Sequence, residues 1–208
     1  MERSNIAELH YITHVDNVPS IMQRGILSRY RVNRMRDVDP SSIADPGIIE
    51  RRAGRHIPHG HQRTPLDRYA NLFFNARNAM LYRRIHDYDP AHRIRAELLA
   101  ILRVAPSVLN LPGVVITEIN AAADVEPRWY TVEEGLHRLD RSEIFARVWE
   151  DRDHKQRMMA EVLVPDRVPT HYLIGTYLVS ETASIEASWS MTLPITLNPY
   201  LFFKGEPG

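Results

Sequence analysis

Residues 155–168 read KQRMMAEVLVPDRV. A charged, helix-compatible run over 155–159 gives way at Ala160-Glu161 to Val162-Leu163-Val164, closed by Pro165. An apolar run this short, ended by a proline, cannot sustain a helix and predicts a buried strand. Glu161 then stands at the entrance of a core strand, where an ionised carboxylate is costly to bury unless something pairs with it. Composition alone favours the plain alternative, a strand-end glutamate tied to an arginine or turned to water. Function therefore depends on what the rest of the chain brings to Glu161.

Working outward, residues 172–179 downstream form another strand, and 195–203 (ITLNPYLFF) form a closing strand that Pro194 and Pro199 confine to an edge or bulge. Upstream, residues 129–139 carry Val132, Leu136 and Leu139 at helical spacing, with an extension towards 149. Residues 97–104 (ELLAILRV) are apolar nearly throughout and suit a central strand; residues 114–117 and 69–75 predict two more. Residues 76–85 predict a helix capped by Asn75. At the start, residues 9–13 form a strand, Asp16 or Asn17 caps a helix entered at Val18-Pro19, and Gly25 ends it. Strands and helices interspersed in this way, without repeats or a linker, predict one α+β domain over residues 1–208.

The totals narrow the function. Lys+Arg 26 equals Asp+Glu 26, so no global field draws the chain to nucleic acid or an anionic membrane, and any such affinity must be local. The absence of cysteine removes disulfides, thiolate zinc sites and a cysteine nucleophile. No window approaches the length of a membrane span, and the N-terminus lacks the apolar core of a signal peptide; a soluble, cytoplasmic protein is expected.

The clearest local concentration of charge lies between Arg51 and Arg68. Arg51, Arg52, Arg55, Arg63 and Arg68, with His56, His59 and His61, face a single acid, Asp67. A long loop of this kind is usually functional or mobile, the alternative being a solvated surface. The three histidines do not predict a metal site, since the arginines around them would repel a divalent cation. No phosphate-binding P-loop, GxGxxG or GxSxG pattern is present. Glu118 and Glu161 could form a glycosidase-like carboxylate pair, but that reading leaves the basic stretch unused.

Taken in order, HYITHVDNVPSIMQRGIL (10–27), ERRAGRHIP (50–58), YANLFFNARNAMLY (69–82), VVITEINA (114–121) with RWY (128–130), and AEVLVPDRVP (160–169) resemble the DarT-type DNA ADP-ribosyltransferases, toxins of the DarT–DarG toxin–antitoxin systems. The resemblance covers residues 9–179. It implies an ADP-ribosyltransferase-like α+β fold in which two small mixed sheets with flanking helices form an NAD cleft. It also implies transfer of ADP-ribose from NAD to a base of single-stranded DNA, release of nicotinamide and no metal. A macrodomain-type antitoxin that removes ADP-ribose is the implied partner, and a monomer is expected.

Residue by residue, Glu161 matches the family's catalytic glutamate, and Arg52 its catalytic, NAD-contacting arginine, with Arg51 the alternative one residue away. His10 or Tyr11, with Ile12 and Thr13, falls on the element that holds the nicotinamide side of NAD. Ser20 and Ser28 fall where further NAD contacts are expected. Tyr69, Asn75, Arg77, Asn120, Arg128 and Trp129 are the candidates for contacting DNA. DRYANLFF (67–74) departs from the thymine-modifying members' HDYVPFYF, which tilts the acceptor towards guanine over thymine. RNA or protein as acceptor, or a non-catalytic nucleic-acid-binding module, are the alternatives.

These residue types fit that chemistry. A carboxylate can stabilise positive charge developing on the ribose, and an arginine fork can hold a pyrophosphate bidentately. The acceptor base must leave its stack, which favours a single strand and aromatic contacts.

Overall fold

The computed structural model describes residues 1–37, 41–59, 62–186 and 193–205. In chain order the strands are β1 (Leu9–His14), β2 (Ile26–Leu27), β3 (His56–His59), β4 (Gln62–Pro65), β5 (Tyr69–Phe73), β6 (Leu99–Val104), β7 (Val115–Thr117), β8 (Glu161–Pro165), β9 (Arg167–Val168), β10 (Leu173–Leu178) and β11 (Ile195–Leu197). One mixed seven-stranded sheet runs β11-β10-β6-β1-β5-β8-β7, while β2-β9 and β3-β4 pair separately.

Register divides the large sheet into two parts. β1 pairs with β6 along its whole length, from Leu9↔Val104 to His14↔Leu99. β5 pairs with β8 likewise, from Tyr69↔Pro165 to Phe73↔Glu161. Between β1 and β5 the register holds a single pair, His10↔Phe73. The ring of His10 reinforces this joint through Nδ1 and the Phe74 carbonyl, 3.1 Å apart. A four-stranded and a three-stranded half-sheet thus meet at one point, which is the two-sheet arrangement anticipated from the resemblance.

Residues 160–165 behave as their composition dictates. In β8, Val162 and Val164 enter the main core with Leu72, Ile101 and Ile116. Leu163, on the opposite face, packs in a smaller cluster with Ile57, Leu66, Tyr69, Val115 and Ala121. Burial on both faces explains why the strand reads as a continuous apolar run instead of an alternating one.

The helices differ from expectation at their ends. α1 (Val18–Arg24) has Asn17 as its N-cap residue without a side-chain cap; a preceding 3-10 turn is capped by His14 instead. Gly25 closes α1 at φ 85°, and a Cβ there would lie 2.2 Å from the Val168 carbonyl oxygen, so no other residue fits. α2 (Arg29–Val32) follows a Ser28 cap. α3 (Pro46–Gly54) is capped by Asp45, whose side chain accepts from the Gly47 and Ile48 N–H groups. α4 (Ala79–His86) starts later than expected, because Asn78 and not Asn75 accepts from the Met80 and Leu81 N–H groups.

The helix expected from 129 towards 149 is broken in two. α5 (Val132–Arg138) starts at a Thr131–Glu134 capping box. α6 (Arg141–Ile144) restarts at Asp140, whose carboxylate accepts from the Ser142 N–H. α7 (Arg152–Arg157) leads into β8, and α8 (Glu181–Glu186) follows β10. The closing strand is shorter than 195–203, because Asn198 caps a 3-10 turn at Pro199–Phe202. The basic stretch is a helix end and a hairpin, β3-β4, and not a loop. Among the described residues no helix is long and apolar enough to cross a membrane.

Candidate active site

Glu161 is fully buried at the first position of β8, opposite Phe73 on one side and Thr117 on the other. Its Oε2 accepts from Arg52 Nη1 at 3.1 Å, and its Oε1 from Asn120 Nδ2 at 2.7 Å. Burial pushes the carboxyl above its ordinary range; the Arg52 guanidinium and the Ala121 N–H pull against that rise. Two side chains from distant parts of the chain thus fix the orientation of a carboxylate removed from water, an arrangement found at functional sites and in structural ion pairs alike.

Arg52 reaches Glu161 because α3 separates two adjacent arginines. Its side chain is 13% exposed, whereas Arg51 points outward to Asp124 Oδ1 at 2.9 Å with 45% of its side chain exposed. Of the two neighbours, Arg52 is the one paired with Glu161. Asn120 is held in turn. Its Oδ1 accepts from the Ala122 N–H, and Arg55 Nη1 donates to the carbonyls of Ala121 and Ala123 at 2.8 and 2.9 Å. Asp124 is gripped by Arg51 and Arg152. Three arginines therefore fix the loop that presents Asn120 to Glu161.

Period-two alternation puts Tyr11 and Thr13 on one face of β1 and His10 and Ile12 on the other. Tyr11 lies within the field of Arg52 and Arg29; burial raises its phenol above the usual range, and both guanidinium groups act to lower it. Thr13 Oγ1 accepts from Asn17 Nδ2 at 3.0 Å, and Asn17 also bonds both backbone groups of Ser41, which leads towards α3. Asn17 thus ties the strand to the segment that delivers Arg52. His10 is engaged elsewhere. Its ring nitrogens face the Phe74 carbonyl and the Glu8 carboxylate, both at 3.1 Å, in a cluster with Arg103 and Tyr177. Glu8 is held at about 2 despite its burial by bonds from His10, Tyr177 and Arg103. Ile12 is core. Of the two candidates beside Thr13, Tyr11 is the one on the Arg52 side.

Two buried donors near Tyr11 have no protein acceptor among the described residues: Arg52 Nη2 and Arg29 Nε. Buried cationic N–H groups are seldom left unpaired, so this pair suits an anionic group such as a pyrophosphate. Nothing in the sequence singled out Arg29, which follows Ser28 as one basic residue among many. Ser28 itself is buried, and its hydroxyl accepts from the Arg31 N–H. With Tyr69, Tyr30 and Arg68 it lines a cavity of about 310 Å³ at the Pro165 end of β8. Ser20 is half-buried on α1 and makes no bond to Glu161 or Arg52.

Of the residues expected to contact DNA, Asn75 and Arg77 are committed to the scaffold. Asn75 donates to the Ile144 carbonyl and accepts from the Arg77 N–H. Arg77 donates to the carbonyls of Tyr200 and Arg147 and lies over the rings of Tyr200 and Phe203. Tyr69 is buried and bonded to Thr64. Trp129 is half-buried against the Ile57–Leu163 cluster, and Arg128 is exposed. His56 lines a basic depression beside α3; His61 lies outside the described residues.

Comparison with known proteins gives the family. A family model described as "ssDNA thymidine ADP-ribosyltransferase, DarT" matches residues 10–200. The chain belongs to the DarT family. A Thermosipho africanus DNA ADP-ribosyl transferase–DNA ADP-ribosyl glycohydrolase fusion protein is 32% identical over 201 residues, covering 94% of this chain and 49% of the fusion. The structure of Thermosipho africanus DarTG in complex with ADP-ribose superposes with a TM-score of 0.80 at 32% identity, over 95% of this chain and 51% of that one. The chain thus spans about half the length of the DarTG relative it matches. Thermus sp. 2.9 DarT in complex with ADP-ribosylated ssDNA shares the fold, with a TM-score of 0.75 at 20% identity over 95% of this chain and 96% of that DarT. The same Thermus protein has been solved in complex with NAD+, where the TM-score is 0.71 at 18% identity over 94% of this chain and 97% of that one.

Proposed function

We propose that this protein transfers ADP-ribose from NAD to thymidine in single-stranded DNA and releases nicotinamide. The observation that carries the reading is Glu161, buried and held by Arg52 and Asn120 where the two half-sheets meet. Arg52 and Arg29 would take the pyrophosphate through their unpartnered N–H groups, with Tyr11 and Thr13 facing the nicotinamide riboside. Glu161 would stabilise positive charge developing on the ribose and align its hydroxyls. Asn120 and the Ala121 N–H keep the carboxylate aimed, so little rearrangement is needed as charge develops. Tyr69, Trp129 and Arg128 remain the candidates for holding a splayed base, Asn120 serving the carboxylate first.

Thymidine follows from the family's description and outweighs the tilt towards guanine drawn from residues 67–74. The fusion of the Thermosipho relative to a DNA ADP-ribosyl glycohydrolase supports a partner that reverses the modification, and with it a toxin's role in the cytoplasm. The test is direct. Purified protein with NAD should add one ADP-ribose to a single-stranded oligonucleotide, and Glu161→Ala should abolish the addition. Mass spectrometry of the digested product should find the modification on thymidine. Modified deoxyguanosine would change the acceptor, and labelling confined to RNA or protein would replace the substrate class.

A further inference from the structure

The hairpin β3-β4 has two faces. Ile57 and Thr64, paired across it, turn inward, Ile57 to the smaller core and Thr64 to Tyr69. His56 and Arg63 stand on the other face by the same alternation. On that side a cavity of about 380 Å³ is lined by Arg51, Gly54, Arg55, His56, Arg63 and Glu126. Arg51 and Arg55, four residues apart at the end of α3, supply its second wall. The charges there do not balance. Arg51 and Arg152 share Asp124, Arg55 bonds only the neutral carbonyls of Ala121 and Ala123, and Arg63 and His56 have no partner among the described residues. Glu126 is the remaining acid on the wall.

We infer that this pocket binds a backbone phosphate of the single strand, next to the nucleotide being modified. The inference rests on the proposed DNA substrate and names a separate site for it. Its position is the argument. The same Arg51 and Arg55 that face the cavity anchor residues 121–124, and the preceding residue, Asn120, touches Glu161. A phosphodiester seated between Arg63 and Arg55 would meet guanidinium forks suited to its two free oxygens. It would also strengthen the charge balance behind the loop that orients Asn120. A neutral protein has no general attraction for DNA, so a local net positive pocket of this kind must supply it.

The experiment measures binding of a labelled single-stranded oligonucleotide by anisotropy from 50 to 200 mM salt, for wild type, Arg63→Ala and, as control, the exposed Arg138→Ala. One phosphate contact contributes about 0.7 to the slope of log affinity against log salt for a single strand. Arg63→Ala should lower the slope by about that amount, so that affinity falls about 2.6-fold less across this fourfold salt range. Arg138→Ala should not, and the KM for NAD should stay unchanged in Arg63→Ala. Neutral methylphosphonate linkages placed one at a time should locate one position that weakens wild type but not Arg63→Ala. An unchanged slope in Arg63→Ala overturns the pocket while leaving the transferase reading intact. A raised KM for NAD with an unchanged slope assigns the pocket to the dinucleotide's pyrophosphate instead and overturns the inference. A wild type that modifies no oligonucleotide overturns the underlying reading, and the pocket with it.

Discussion

Replacing Glu161 with glutamine separates catalysis from stability in a way the local geometry makes quantitative. Glutamine keeps the shape and an oxygen for Arg52 Nη1, 3.1 Å away, but removes the charge and turns its NH2 group towards Asn120 Nδ2, a donor that loses its acceptor. Loss of a single charge-directed contact to the transition state typically costs 10²–10³ in rate, about 2.7–4 kcal/mol. Stability should respond differently. Burial holds the Glu161 carboxyl above its ordinary 4.5, so the folded protein binds that proton more tightly than the unfolded chain does. Ionising it therefore costs stability, and the cost enters as pH rises from the unfolded value through the folded one. At neutral pH the glutamine variant escapes this cost, which offsets the lost Asn120 bond of about 0.5–1.5 kcal/mol, and its melting temperature should stay within about 6 °C of wild type. A structural ion pair behaves oppositely, since removing one buried partner costs about 3–5 kcal/mol. For a chain of this size that is about 6–20 °C at roughly 2–4 °C per kcal/mol. Oligonucleotide gel shift with calorimetry on the same preparation reads both. A variant that keeps a tenth of the transfer rate, or melts more than about 6 °C lower, refutes the argument.

The acid limb of the transfer rate should lie above the usual carboxylate range, and Arg52→Met, which removes the strongest influence holding Glu161 down, should move the residual activity's limb to higher pH; a stationary limb would detach it from Glu161. Tyr11→Ala should raise the KM for NAD and leave oligonucleotide affinity unchanged, as steady-state kinetics beside anisotropy will report. Gly135→Ala would ordinarily favour helix α5 by about 0.5–1 kcal/mol. A Cβ there falls 2.5 Å from Ile116 Cβ, and overpacking of about 1–3 kcal/mol should win, so the melting temperature should drop by a few degrees. EDTA should leave transfer unchanged; loss of activity restored by a divalent cation would bring a metal into the mechanism.

The sequence disclosed residues whose chemistry coincides with a strong local pattern. Glu161 lay against a short apolar run and a proline, and the strand, helix and Gly25 near the start agreed with one another at every level. Elements without such contrast were misread. β3-β4 carries Pro58, Pro65 and alternating basic residues, so only Ile57 hinted at an inward face. Asn75 and Asn78 are equally good caps on paper, and tertiary bonds to Ile144 decided between them. Asn17 looked like a cap and serves as a tie to Ser41, a contact 24 residues away that no local rule reports. Asn120 entered as a candidate for contacting DNA through the family resemblance; its bond to Glu161 spans 41 residues and no local pattern reports it. Arg29 gave no sign at all. Long-range pairing, and the choice between Arg51 and Arg52, needed the helix to be set in space.

The joint at His10↔Phe73 gives the molecule an unusual mechanical layout. Tyr11 and Thr13 ride on one half-sheet and Glu161 on the other, so a dinucleotide gripped as proposed would bridge two half-sheets that share a core but only one register pair at their seam. A molecule bridging them adds a fastening across the seam, and its binding energy appears as resistance to parting. A hundredfold excess of such a ligand over its dissociation constant is worth about 2.7 kcal/mol of this resistance. The effect should be greatest for amide hydrogens along the β1–β5 seam, which exchange through local opening. The seam would then record occupancy of the cleft in its own exchange rates, with the chemistry switched off.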